Sequence, residues 1–374
     1  MQILIVANFI RNMPWDSAWW TVVFAREFLA QGHSVRILAD GLESPETLAG
    51  FESEIVRPSR THLGANPRSF ALRVREARER SADMVTLSLT GWVAGDLWLP
   101  LDQTPGQLSG SIFRDLRPLS AALEFIHHPW LIHEAFAHRR AAQEAAGKGT
   151  RRLNFGEGES GIGHASGLAI DTRARYSGEA ISLRRLMGIA CDEPVFVLSA
   201  AEVRPHALEP IAQGFTAARS GGGAGAGGGV GARLIVLTRR QHSVSRVVQD
   251  AGCGRDVIVM GLSRRVELPL SIAEVAIAGP MSGGVSCGRW VADALRVGLP
   301  VVASVDSSGA RLAETSGAAM VRAHDAMSWE RGFAQALDAS WRKHAGERAM
   351  EAAPQLSVDA MVARLLATLR SPNS

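Results

Sequence analysis

Ala292-Asp293-Ala294-Leu295-Arg296-Val297-Gly298-Leu299-Pro300-Val301-Val302-Ala303-Ser304 is the stretch whose reading decides the fold. It closes a helical pattern at 289–297 and, after a glycine and a proline, opens a short β-branched run at 301–303. A run of that kind with no polar alternation belongs in the middle of a parallel sheet, covered on both faces.

The same alternation continues outward on both sides. Upstream, apolar runs at 195–199, 234–237, 257–260 and 275–278 are separated by helical patterns at 207–218 and 243–251, and a further helix is expected at 329–339. Near the start, residues 3–7 form another buried strand. A turn-rich loop follows over 8–17, then a helix at 18–30, with Gly32 just past its end where a left-handed cap is expected, and a second strand at 34–39. Such a strand, helix and strand make one βαβ unit, whose crossover is right-handed. A basic helix at 68–80 leads to a strand at 84–89, and helical segments are expected at 116–125, 131–146 and 180–187. Glycine-rich, polar sequence at 156–167 reads as a connection between two such series.

The 374 residues exceed one ordinary core, which independently favours two domains. The expectation is therefore an α/β protein with two Rossmann-like domains whose parallel sheets face each other across a cleft, the ligand lying outside the strand C-termini. We place the first domain at 1–165, the second at 166–350, and a C-terminal helix at 351–374 that returns to the first domain. The segment 220–231, nearly all glycine and alanine, has nothing with which to bury a core and is read as a flexible insertion, not a phosphate loop.

Composition narrows the function classes. A net charge of +3 is too small an excess to suggest nucleic acid as a partner. One denser basic group, Arg139, Arg140, Lys148, Arg151 and Arg152, is either a solvated helix end and loop or a contact for anionic lipid or a phosphorylated acceptor. Cys191, Cys253 and Cys287 are odd in number and far apart, against both a disulfide framework and a zinc site. The N-terminus reads as a strand and not as a signal peptide, and no apolar run approaches the length of a membrane span. A cytoplasmic protein is expected, at most peripheral to the inner face of a membrane.

The second half resembles the family 4 retaining glycosyltransferases in several ordered blocks. Gly167-Leu-Ala-Ile-Asp-Thr-Arg-Ala-Arg-Tyr is similar to an interdomain "G-V-D-T-x-x-F" segment. Pro194-Val-Phe-Val-Leu-Ser resembles the "P-V-F-L-Y-V-G-R" run that opens the donor domain, Asp256-Val-Ile-Val-Met-Gly its "V-x-F-L-G" strand, and Glu267-Leu-Pro its "E-L-P-x-x-Y". The opening stretch looks like "L-E-A-M-A-x-G-L-P-V-V-A-S". In the first half, Gln31-Gly-His-Ser-Val matches an "x-G-H-x-V" turn. The resemblance implies a GT-B architecture, a nucleotide-sugar donor as co-substrate with no other cofactor and no metal, and a glycan or lipid-linked acceptor.

Sugar transfer must hold a diphosphate and stabilise the charge that builds on it as the glycosidic bond breaks. By the resemblance, an Arg and a Lys should occupy the first loop of the donor domain. Ala201 and His206 stand there instead, with Arg204 between them, so Arg204 and a protonated His206 are the candidate cations. The family's two glutamates, eight residues apart, fall on Val285 and Asp293. Valine cannot act as a carboxylate, whereas Asp293 still accepts hydrogen bonds from ribose hydroxyls. Between them, Gly283, Gly284, Ser286 and Gly288 make a turn that either offers backbone N–H groups to phosphate or is a plain strand-to-helix turn. His128 is a candidate base on the acceptor side, although a core or surface role is the better reading of it, His127 and His133. Asp16, Trp19 and Trp20 fill the place where many relatives carry paired glycines after the first strand. Either Trp15, Trp19 and Trp20 form a stacking wall for a sugar, or Trp19 and Trp20 pack the first helix on its sheet.

Two functions follow. One is a hexosyltransferase; the other is a catalytically degenerate GT-B protein that binds nucleotide or glycan, or scaffolds a partner, as the residues at 201, 206 and 285 suggest.

Overall fold

The structure, a computed structural model, describes residues 1–10, 19–56, 67–81, 83–99, 130–147, 150–152, 178–200, 205–221, 231–262, 265–280, 285–307 and 309–370. The chain divides into two compact units: Met1–Gly163 with Gly283–Val285 and Met361–Ser374, and His164–Ser282 with Ser286–Ala360.

The first unit is built on strands β1 (Gln2–Ile10), β2 (Ser34–Leu42), β3 (Glu52–Ile55), β4 (Val85–Ser88), β5 (Leu97–Trp98) and β6 (Arg151–Arg152), with helices α1 (Trp19–Ala30), α2 (Pro67–Arg80) and α3 (Trp130–Gly147). All its strand pairs are parallel, in the order β3-β2-β1-β4-β5-β6. β1 is the spine because Ile3 to Val6 bury both faces, each at most 1% exposed. Sequence periodicity missed β3, β5 and β6. β3 carries Glu52 and Glu54, which pair with Arg36 on β2, so it is an edge strand held by charge and ladder bonds. β5 and β6 span two residues each, too short to show any period.

The second unit runs α4 (Gly178–Leu186), β7 (Val195–Ser199), α5 (Glu209–Ser220), β8 (Arg233–Thr238), α6 (Gln241–Asp250), β9 (Val257–Gly261), α7 (Glu267–Ser271), β10 (Val275–Ala278), α8 (Val285–Arg296), β11 (Val301–Ser304), α9 (Ala310–Thr315), β12 (Ala319–Val321), α10 (Ala326–Leu337), α11 (Ala339–Ala352) and α12 (Val358–Arg370); the first residue of α8 and the part of α12 from Met361 on are grouped with the first unit. Its sheet is also wholly parallel, ordered β12-β11-β10-β7-β8-β9. Numbered within each unit, both sheets read 3-2-1-4-5-6, the order of a doubly wound dinucleotide-type fold.

One face of the second sheet closes on an aromatic cluster. Phe215 and Phe333 meet edge-on at 5.2 Å, Phe196 packs on both, and Trp329 adds a fourth ring 5.8 Å from Phe333. Edge-to-face rings at these separations add attraction beyond area burial. Arg184 on α4 ties the unit's first helix to the sheet, donating to the Ile272 and Ala190 carbonyls and to Glu274, whose other oxygen accepts from Val195 N.

The deciding stretch forms as expected, with one cap now visible. α8 ends at Arg296, and Gly298 takes φ +73°, where its N–H reaches Leu295 O at 2.9 Å and Leu299 N reaches Ala294 O at 2.9 Å. This is the left-handed helix ending that glycine adopts without strain, and it aims the chain into β11.

Candidate functional site

Where a 3-2-1-4-5-6 sheet reverses its winding, the chains leaving strands 1 and 4 diverge and open a crevice at their C-terminal ends. In the second unit that point lies between β7 and β10. The segment leaving β7 runs through Ala200 to a 3-10 turn at Pro205–Leu208, and the segment leaving β10 runs into α8.

α8 starts at Val285, four residues earlier than periodicity indicated. Ser286 and Gly288 therefore lie in the first helical turn and not in a preceding loop. Glycine lowers the helical signal locally, and packing restores it. A Cβ on Gly309 would come within 2.7 Å of Val291 Cγ2 and 3.2 Å of Gly288 Cα, so the turn after β11 is pressed against the first turns of α8. Trp290 Nε1 donates to Ile277 O at 3.0 Å and fastens the helix to β10. The N–H groups of that first turn have no partners within the helix, and its dipole favours negative charge.

α8 is buried on nearly every side: Trp290, Val291, Ala292, Ala294 and Leu295 are all 2% exposed or less. Among them sits an ion pair, Arg289 Nε to Asp293 Oδ2 at 3.4 Å, with side chains 4% and 2% exposed. Burial pulls the Arg289 guanidinium below its ordinary range, and the Asp293 charge opposes that pull. Charges are seldom retained in such surroundings for stability alone, because desolvation cancels most of the attraction. Asp293 was recognisable from the sequence. Arg289 was not singled out, although its i, i+4 spacing from Asp293 was the available signal.

Among the other expected site residues, His206 falls in the 3-10 turn that leads to α5. Arg204, His128, Gly283 and Gly284 lie outside the described residues, as do Ala201, His127, Trp15 and the 222–230 glycine run. In the basic group, Arg139 and Arg140 are exposed on α3, Arg151 and Arg152 make β6, and Lys148 lies outside the described residues.

Among the described residues, the corresponding point of the first unit, between β1 and β4, holds a network of neutral groups. Thr90 donates through Oγ1 to Asn8 Oδ1 and accepts there from Trp92 N at 3.0 Å, while Trp98 Nε1 donates to Thr90 O at 2.7 Å. Thr90 is fully buried. Asn8 and Thr90 are 82 residues apart, and no local pattern joins them. Trp20 is 1% exposed and begins an aromatic row with Phe24 and Phe28 along α1, so it packs the helix. Trp19 touches Trp20 edge-on at 5.5 Å.

Among the described residues, no three His, Cys, Asp or Glu side chains gather as a metal site, and no helix is long and apolar enough to cross a membrane.

No family model matches the chain, and no curated protein matches it. Solved structures do. WaaG, described as a glycosyltransferase involved in lipopolysaccharide biosynthesis, superposes with a TM-score of 0.70 over 99% of this chain and 100% of its own, at 14% identity. Anabaena Alr3699/HepE, solved in complex with UDP and glucose, gives 0.61 over 100% of both chains at 13% identity. A putative UDP-N-acetylglucosamine 2-epimerase from Listeria monocytogenes gives 0.53 over 99% of this chain and 96% of its own, at 11% identity. At these identities the likeness is one of fold. The chain has the paired Rossmann-like units of the GT-B architecture, which serves more than one chemistry.

Proposed function

We propose that this protein is a glycosyltransferase that moves a hexose from a nucleotide sugar to a glycan or lipid-linked acceptor, on the cytoplasmic side and at most in peripheral contact with a membrane. The observation that carries the reading is α8. A long helix begins at the winding reversal of the second sheet, glycine precedes it in the sequence, and its first-turn N–H groups suit a diphosphate. Glycosyltransferases share the whole-chain fold, and one of them was solved with UDP.

In this mechanism, backbone N–H groups around Gly283, Gly284, Ser286 and Gly288 hold the diphosphate. Arg204 and protonated His206 offset the negative charge that grows on it as the bond to the sugar breaks. Asp293 accepts from the ribose hydroxyls, and Arg289 keeps that carboxylate ionised and oriented. His128 takes the acceptor proton.

Thermal denaturation with UDP, GDP and ADP tests the binding step. A ligand at 100 times its Kd stabilises by about 2.7 kcal/mol, so at least one should raise Tm by several degrees, and Arg204→Ala should blunt the rise. Flat curves with all three would sink the proposal. The valine that opens α8 supports a second reading, binding without turnover. Introducing Ala201→Arg, His206→Lys and Val285→Glu together separates the two. Hydrolysis or transfer gained only in the triple variant marks a site that binds but lost its chemistry, whereas turnover by the unaltered chain supports the enzyme.

A further inference from the structure

Ser307 lies in the turn between β11 and α9, on the C-terminal side of the second sheet. Its backbone is satisfied: the N–H donates to Ser304 O and the carbonyl accepts from Ala310 N, both at 3.0 Å. Its side chain is not. The residue is 6% exposed, and Oγ is shielded from water with no hydrogen-bond partner. A buried hydroxyl in that state costs free energy, and native proteins rarely keep one without a use.

The position of the turn supplies the use. Gly309, two residues on, packs without a Cβ against Gly288 and Val291, so the chain just after Ser307 meets the first two turns of α8. Serine supplies one O–H donor, the complement of a phosphoryl oxygen. A fixed neutral donor beside backbone N–H groups adds a directed hydrogen bond to an anion without adding charge.

We infer that the Ser307 hydroxyl is a further phosphate-binding group, donating to the diphosphate of the ligand held at the α8 N-terminus. The inference rests on the nucleotide-sugar reading above. Because Oγ is shielded, engagement requires Ser307 to shift as the ligand seats.

The test is Ser307→Ala, measured in two ways on the full-length chain. Without added ligand, its Tm should equal or exceed that of the unaltered protein, since an unsatisfied polar group has been removed. By titration calorimetry, whichever of UDP, GDP or ADP binds the unaltered chain best should bind the variant about threefold to tenfold more weakly. Inorganic pyrophosphate should weaken in step. A clear fall in ligand-free Tm would make the hydroxyl a structural group and overturn the inference. So would unchanged affinity for the nucleotide, or a loss confined to the nucleotide with pyrophosphate unaffected, which would move the contact to ribose or base. If the unaltered chain binds no nucleotide, the functional reading itself fails, and this inference with it.

Discussion

The two units share one strand order and differ in what they put where the winding reverses. The first fills that point with neutral hydrogen bonds, Thr90 linking Asn8, Trp92 and Trp98. The second starts a helix there and buries an ion pair within it. Topology fixes where a crevice forms but not its chemistry. A neutral network suits a ligand read by shape and hydroxyl groups, whereas a helix N-terminus and a buried charge pair suit an anion. The same contrast separates the acceptor and donor roles proposed for the two halves.

The comparison is tested first, and hardest, at α8. Arg289→Ala removes the cation paired with the buried Asp293 carboxylate and should cost about 3 to 5 kcal/mol in urea denaturation. The double change Arg289→Met with Asp293→Leu should recover most of that loss while abolishing nucleotide binding. If the double variant is as unstable as the single one, the pair is structural and the contrast between the units weakens.

Thr90→Val probes the neutral site. It keeps shape but strips the hydroxyl from Asn8 and Trp92 N, and should cost about 1 to 3 kcal/mol. Nucleotide affinity measured on the same sample should stay unchanged, because the change lies in the other unit. A matching fall in affinity would tie the two sites together and break the division of roles.

The smallest effect is expected at Asp359, in the first turn of α12, a helix that both units share. The Ser357 hydroxyl above all, with the nearby backbone N–H groups and the Arg296 charge, holds its carboxyl below the ordinary carboxylate range, against the opposing effect of burial. A depressed folded value stabilises the protein above the ordinary range and ceases to do so as pH falls through the folded value. Asp359→Asn should therefore lower stability by less than about 1 kcal/mol at pH 7. The difference should vanish in strong acid when Tm is followed against pH.

Most of the second unit was legible in the sequence. Five of its six strands are apolar runs bounded by helical periodicity, and 195–199 and 275–278 match β7 and β10 residue for residue. α7, α9, β12 and α11 were not foreseen. The first three are too short to show a period, and α11 directly follows Leu337 and Asp338 at the end of α10. Of the candidate site, Asp293 stood out through the family resemblance, and the glycine turn through its close-set glycines at 283, 284 and 288. Arg289 carried a local signal too, but i, i+4 spacing does not reveal that both partners are buried.

Sequence alone determined the alternation of strands and helices, including the helix that follows β10. Those depend on side-chain periods of about two and 3.6 residues, which act between near neighbours. Tertiary structure alone decided the 3-2-1-4-5-6 order of both sheets, the meeting of Asn8 with Thr90, the enclosure of Arg289 with Asp293, and the unpartnered hydroxyl of Ser307. Each depends on packing between segments distant in the chain. Whether a polar group costs or contributes is set by how much water that packing removes.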